Sequence, residues 1–159
     1  MSKAAILSIK PAYAQQILAG TKNIELRRSA MGLTSGDVVL VYVSAPEQSL
    51  RLWFRIAEVE KLPVDEMWHR HHARLGIAHR DYLAYFEGAA EAVGLHVGEL
   101  QALDPGVSLD EIRKLVPDFV PPQGIAWLRD EVGRFKKLLL RLSAPLPRDA
   151  FPQTGFAFS

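Results

Sequence analysis

Residues 6–28 read ILSIKPAYAQQILAGTKNIELRR. The apolar run from Ala4 to Ile9 suits a strand buried on both faces, and Lys10 ends it. Pro11 fits the first position of a helix, where a missing N–H leaves no bond unmade. Tyr13, Ile17 and Leu18 follow at helical spacing, and Gly20 suits the left-handed residue that closes a helix. Ile24 and Leu26 then alternate with Glu25 and Arg27, the period of a strand with one apolar face. The stretch therefore predicts a strand over residues 4–9, a helix over 11–19 and a strand over 23–28. Lys10, Lys22, Glu25, Arg27 and Arg28 stand at the junctions, where rigid elements hold charges in place.

Working outward, Met31–Asp37 carries Gly32, Ser35 and Gly36 and reads as a turn. Val38–Val43 is continuous and β-branched, the strongest strand signal in the chain. Leu50–Leu62 alternates, with Leu52, Phe54 and Ile56 on one face and Trp53, Arg55 and Ala57 on the other, until Pro63 ends it. Val64–Leu75, with Asp65 as N-cap, and His79–Tyr85 read as helices parted at Gly76. Ala92–Leu103 reads as a strand, and Ser108 with Glu111 forms a capping-box pattern opening a helix to Val116. Residues 117–123 are Pro-rich and extended. Leu128, Val132, Phe135, Leu139 and Leu142 are spaced for an amphipathic helix, with a last strand over Lys136–Leu142 as the alternative. One domain over residues 1–143 and a Pro-rich tail without regular structure over 144–159 are expected. The mixture of elements gives an α+β class.

The 159 residues, 48% hydrophobic and 23% charged, suit one globular core. A net charge of +1 is not the footprint of a protein that coats duplex nucleic acid, so any nucleic-acid site must be local. The absence of cysteine excludes disulfides, thiol catalysis and thiolate zinc sites. The first apolar stretch is shorter than a signal-peptide core, and no run approaches the roughly 18 residues of a membrane span. A cytoplasmic protein without membrane attachment is expected.

Lys10 lies beside a helix N-terminus, where free N–H groups and partial positive charge favour an anion, phosphate above all; a solvated lysine is the plain alternative. Lys22 lies at the other end of the same helix, roughly 13 Å away by helical rise, so the pair would flank an extended ligand rather than share one anion. Glu25 and Arg27 share a strand face. They either pair with each other or read a base edge, the carboxylate accepting from an amine and the guanidinium donating to oxygen. Tyr42, Trp53, Tyr82, Tyr85 and Trp127 are the aromatics able to stack a base, with Trp53 and Trp127 expected in the core. Of His69, His71, His72 and His79, only His69 and His72 have ligand spacing and no third ligand accompanies them, so neither a metal nor another cofactor is expected.

The motif Ser8-Ile9-Lys10-Pro11, followed by Tyr13, Ala14, Ile17, Gly20, Lys22, Glu25, Arg27 and Arg28, resembles the pattern of the ASCH family, a branch of the PUA-like superfamily. Gly36–Tyr42 looks like that family's next strand, and looser likeness recurs over Tyr82–Glu87 and at Pro121, Pro122 and Gln123. The resemblance implies a small PUA-like β-barrel of mixed and antiparallel strands with helices around its mouth. It implies a cleft for single-stranded RNA or a modified nucleoside, lined by Lys10, Lys22, Glu25, Arg27, Arg28, Tyr42, Ser44 and Tyr85. One branch of the family hydrolyses acetylated cytidine and another is associated with RNA cleavage, so a hydrolase using Lys22 and Glu25 in the same cleft is the alternative, as an amidohydrolase or a metal-independent ribonuclease. In the deacetylating branch the lysine after the glycine is catalytic, but its threonine nucleophile is replaced here by Glu25. That departure counts against amidohydrolase activity.

Overall fold

The computed structural model describes residues 3–128, 133–142 and 145–150. The opening motif folds as its local signals dictate: strand β1 (Ala4–Ile9), helix α1 (Pro11–Ala19) and strand β2 (Ile24–Arg27). Pro11 stands at the start of α1, and Gly20 closes it at φ 82°, its N–H donating to the Gln16 and Ile17 carbonyls. A residue with a Cβ would be strained there.

Strands β3 (Val38–Val43) and β4 (Ser49–Pro63) come next, then helices α2 (Val64–Leu75) and α3 (His79–Tyr85). Strand β5 (Glu91–Ser108), helix α4 (Leu109–Leu115), strand β6 (Ile125–Trp127) and helix α5 (Lys136–Arg141) follow. The sheet order is β2-β5-β4-β3-β1-β6, and it curls into a half-barrel of PUA-like form. The β1–β3 pair is parallel and its neighbours run antiparallel, giving a mixed sheet. β4 and β5 are long enough to bend, with register shifts along their shared ladder. Such bulges raise local twist and let one ladder serve both ends of a curled sheet.

Alternation divides the apolar residues among three clusters. Ile6, Leu40 and Tyr42 pack with α4 and α5 through Ile112, Leu138 and Leu139. Leu7, Val39 and Val41, their neighbours in sequence, pack with Leu52, Phe54 and Ala14 and Ile17 of α1. Ile24 and Leu26 pack under α2 and α3 with Met67, Leu75, Tyr82 and Phe86. The predicted inward face of β2 thus packs into this cluster, and Glu25 and Arg27 point the other way, where Glu25 is buried as well.

Several expectations are corrected. Pro63, not Asp65, occupies the N-cap of α2; Asp65 sits in the first turn, where its carboxylate accepts from the Glu66 N–H. β5 runs on to Ser108, because β4 pairs with it well beyond Leu103. β6 was not anticipated; its three residues pair with β1, and Leu128 extends that pairing through a hydrogen bond to the Ala4 carbonyl. Lys136–Arg141 is helical rather than a strand, and the expected helix does not begin at Leu128; residues 129–132 lie outside the described residues. Within the Pro-rich tail, Arg148–Ala150 forms a 3-10 turn, and Leu146 and Ala150 are buried in the first cluster. Residues 144 and 151–159 of that tail lie outside the described residues. Ser108 caps α4 as the capping-box pattern predicts, accepting from the Glu111 N–H. No helix among the described residues is long and apolar enough to cross a membrane.

Candidate functional site

The end of β1, the start of α1, one face of β2 and α3 enclose a cleft of about 590 Å³. Volumes of this order suit one nucleotide or a molecule of similar size. Its walls carry Lys10, Tyr13, Lys22, Glu25, Arg27, Asp81 and Tyr85, with Ser8, Ile9, Leu26, Ile77 and Ala84 completing the surface.

Glu25 is the electrostatic centre. Its Oε2 accepts from Arg27 Nη2 at 2.9 Å, and its Oε1 lies 3.7 Å from Lys22 Nζ. The three groups are largely withdrawn from water, with Lys22 only 2% exposed. The Lys22 ammonium also donates to the Leu75 carbonyl at the end of α2, and lies 5.0 Å from the centre of the Tyr13 ring. Burial pushes its pKa below the ordinary lysine value, against the opposing pull of Glu25. Arg27 Nη2 also reaches the Ser8 carbonyl at 3.0 Å, tying β2 to β1. Arg27 Nε, by contrast, is buried with no hydrogen-bond partner among the described residues. The guanidinium is thus fixed in the cleft wall by its Nη2 bonds to Glu25 and the Ser8 carbonyl.

Across the cleft, Tyr85 is 40% exposed, and its hydroxyl donates to the Leu26 carbonyl at 3.3 Å. Burial of that hydroxyl raises its pKa. The ring is thereby fixed with part of its surface free. Lys10 is exposed at the N-cap of α1, and its side chain makes no capping bond. The helix N-terminus and this lysine face the same space.

Of the residues read from sequence, Lys10, Lys22, Glu25, Arg27 and Tyr85 converge. Arg28, Tyr42 and Ser44 do not line the cleft. Arg28 donates to the Tyr85 and Glu87 carbonyls at 3.0 and 2.9 Å, binding the end of β2 to α3. Tyr42 falls on the β3 face that carries Val38 and Leu40, and is buried 6.1 Å from the Phe119 ring. Ser44 follows β3, where its N–H donates to the Ile9 carbonyl. Tyr13 and Asp81 were not foreseen in the cleft. Tyr13 carried a signal, two residues after Pro11 on the first turn of α1; Asp81 lies on a separate helix with no local mark of its role.

The histidines behave differently from their spacing. His69 and His72 are exposed. His71 of α2 and His96 of β5 each bring Nε2 to 2.9 Å from Glu60 Oε1 of β4. Burial alone would raise the Glu60 pKa, but the hydrogen bonds and charge of His96 and His71 outweigh it and hold the carboxyl below its ordinary value.

The ASCH domain family model matches residues 7–103, from β1 into β5. The chain belongs to the ASCH domain family. An ASCH domain-containing ribonuclease of Zymomonas mobilis is 27% identical over 129 residues, covering 81% of this chain and 86% of that protein. The crystal structure of ASCH from the same organism superposes with a TM-score of 0.78 at 26% identity, covering 87% of this chain and 94% of the other. A point variant of that ASCH protein superposes with a TM-score of 0.79 at 24% identity, covering 89% and 97%. The ASCH match takes in every residue of the cleft named above.

Proposed function

We propose that this ASCH domain acts on RNA by seating a nucleotide of a single strand in the cleft between α1, β2 and α3. The observation that carries this reading is the convergence of Lys10, Arg27 and the partly exposed Tyr85 ring on one nucleotide-sized space. Single-stranded RNA recognition needs cations for the backbone and an aromatic face for an unstacked base. In this reading Lys10 and the N-terminus of α1 take a phosphate, Tyr85 stacks a base, and Arg27, which lines the cleft, faces that base or its sugar. The near-neutral net charge agrees with a local site that admits one segment of a strand.

Phosphodiester cleavage in the same cleft is the second reading, favoured by the buried Lys22–Glu25 pair and by the ribonuclease to which the chain is similar. Lys22 enters it as a fixed cation facing charge that develops at phosphorus. Hydrolysis of an acetylated nucleoside is less well supported: Glu25 stands where a hydroxyl nucleophile would be needed, and both its oxygens face cations.

The test is fluorescence anisotropy with a short labelled single-stranded RNA, the matching duplex and the matching DNA strand, with the same mixtures run on a denaturing gel. Preferential binding of the RNA strand is expected. Equal affinity for the duplex would overturn the reading, and shortened RNA on the gel would establish the second one.

A further inference from the structure

We propose that Glu60, His71 and His96 form a binding site for one zinc-class transition-metal dication, on the face of the sheet opposite the cleft. The two imidazole Nε2 atoms and one carboxylate oxygen lie within 4.8 Å of one another. The imidazoles approach that oxygen from two directions, with ring centroids 5.5 Å apart and planes at 86°. Ligand atoms of a tetrahedral zinc ion are separated by about 3.4 Å, as follows from metal–ligand distances of about 2.0–2.2 Å. Small side-chain adjustments take the three groups from sharing protons to sharing a cation.

The fold builds this arrangement from three elements. Along the β4–β5 ladder Glu60 stands opposite Gly94, and His96 stands opposite Glu58 and Ile24. Ile24 belongs to the cluster beneath α2, so His96 shares that face while Glu25 looks the other way. Gly94 lets α2 approach closely: a Cβ there would lie 2.9 Å from Ile24 Cγ2 and 3.1 Å from Met67 Cε. Met67 is the buried contact, and His71 lies one turn further along the same face of α2, over Glu60. The three side chains are only 12–18% exposed, which limits competition from water while leaving an approach.

The donor set selects the ion. Two imidazoles with one carboxylate suit zinc, cobalt, nickel or copper, whereas magnesium and calcium favour oxygen-rich shells. Three protein ligands leave a fourth position for water or another molecule. Binding would pin α2, whose last carbonyl holds Lys22, without placing the ion in the cleft.

The test is titration of tag-free, chelator-stripped protein with zinc, followed by calorimetry, thermal unfolding and histidine-ring NMR, with cobalt absorption reporting geometry. One equivalent is expected to bind, shift the His71 and His96 ring signals and raise Tm by about 5–10 °C at a hundredfold excess over Kd. Glu60→Gln and His96→Ala should abolish this, while the doubly substituted His69→Ala/His72→Ala protein should retain it. Absence of binding, ring shifts confined to His69, His72 or His79, or unchanged affinity in Glu60→Gln would overturn the proposal. Should His96→Ala fail to fold, the ring shifts of the unaltered protein decide the matter alone.

Discussion

The Lys22 ammonium donates to the Leu75 carbonyl across 53 residues of sequence, fastening the cleft to the C-terminal end of α2. The helix end supplies an unsatisfied carbonyl and partial negative charge, and the lysine supplies the matching donor. Because the group is buried, it releases its proton at lower pH in the folded state than the ordinary value of 10.5. Between its folded pKa and 10.5 the unfolded chain then holds more protons, and stability rises with pH. Urea unfolding from neutral pH to 10.5 should show the native protein gaining stability relative to Lys22→Met across that window, and a constant difference below it.

Glu25 and Arg27 form a structural clasp as well as a cleft wall. Removing Glu25 leaves Arg27 and Lys22 withdrawn from water without their shared carboxylate, and removing Arg27 leaves Glu25 with only the Lys22 ammonium at 3.7 Å. Glu25→Ala and Arg27→Ala should each cost about 3–5 kcal/mol, and the double variant should cost less than the two combined. Two small additive losses in chemical denaturation would show a pair that water already screens.

For RNA, Lys10→Ala should lower the slope of log affinity against log salt by about 0.7, the value for one phosphate contact on a single strand. Tyr85→Ala should instead weaken binding by about 1–3 kcal/mol with an unchanged slope, as loss of a stacking surface does. Anisotropy titrations at several salt concentrations separate the two.

Tyr82 marks the alkaline limit of the fold. It is fully buried, its hydroxyl donates to the Val64 carbonyl at 2.6 Å, and burial with the nearby Asp65 charge pushes its pKa up to about 12. The unfolded chain loses this proton near pH 10 while the folded protein keeps it, so stability is full below pH 10 and falls towards pH 12. The loss should be about 2–3 kcal/mol. Tyr82→Phe should be about 1 kcal/mol less stable at neutral pH through the lost hydrogen bond, yet decline less steeply above pH 10.

Two left-handed glycines permit a paired measurement. Gly20 and Gly76 have φ of 82° and 65°, but a Cβ at Gly20 meets nothing within 4 Å, whereas one at Gly76 would overlap Gln16 Oε1 and lie 3.0 Å from Lys22 Cβ. Gly20→Ala should cost about 1–2 kcal/mol from backbone strain alone. Gly76→Ala should cost more, because the Gln16 side chain and Lys22 must both give way. Equal losses would show that the contacts around Gly76 relax freely.

The elements that were legible in sequence carry their own punctuation. Pro11 and Gly20 bracket α1, Gly76 parts α2 from α3, and Ser108 caps α4. β6 lacked any such mark, because three residues depend on β1 for their hydrogen bonds. The end of β5 beyond Leu103 was hidden by Pro105 and Gly106, which weaken an isolated strand but are carried along by the neighbouring β4. Tyr42 misled for a different reason: Val38–Val43 is apolar throughout, so nothing in it distinguishes the face towards α1 from the face towards α4. The cleft was readable where its residues lie in one short stretch, and Asp81 was not. Glu60 and His96, 36 residues apart, meet only through a strand register that no local spacing encodes.

Ile6 and Leu7 are adjacent in the chain yet lie in different clusters, and Leu40 and Val41 repeat the division. The sheet is therefore a partition. α1 and the cleft lie with one set of contacts, while α4, α5 and Leu146 lie with the other. Exchanges among Ile112, Leu138 and Leu139 would alter how long the molecule survives heat; exchanges at Lys10 or Tyr85 would alter what it holds. Outside the Glu25–Arg27 clasp, which serves both, durability and recognition are thus assigned to separate compartments, and each can drift while the other stays put.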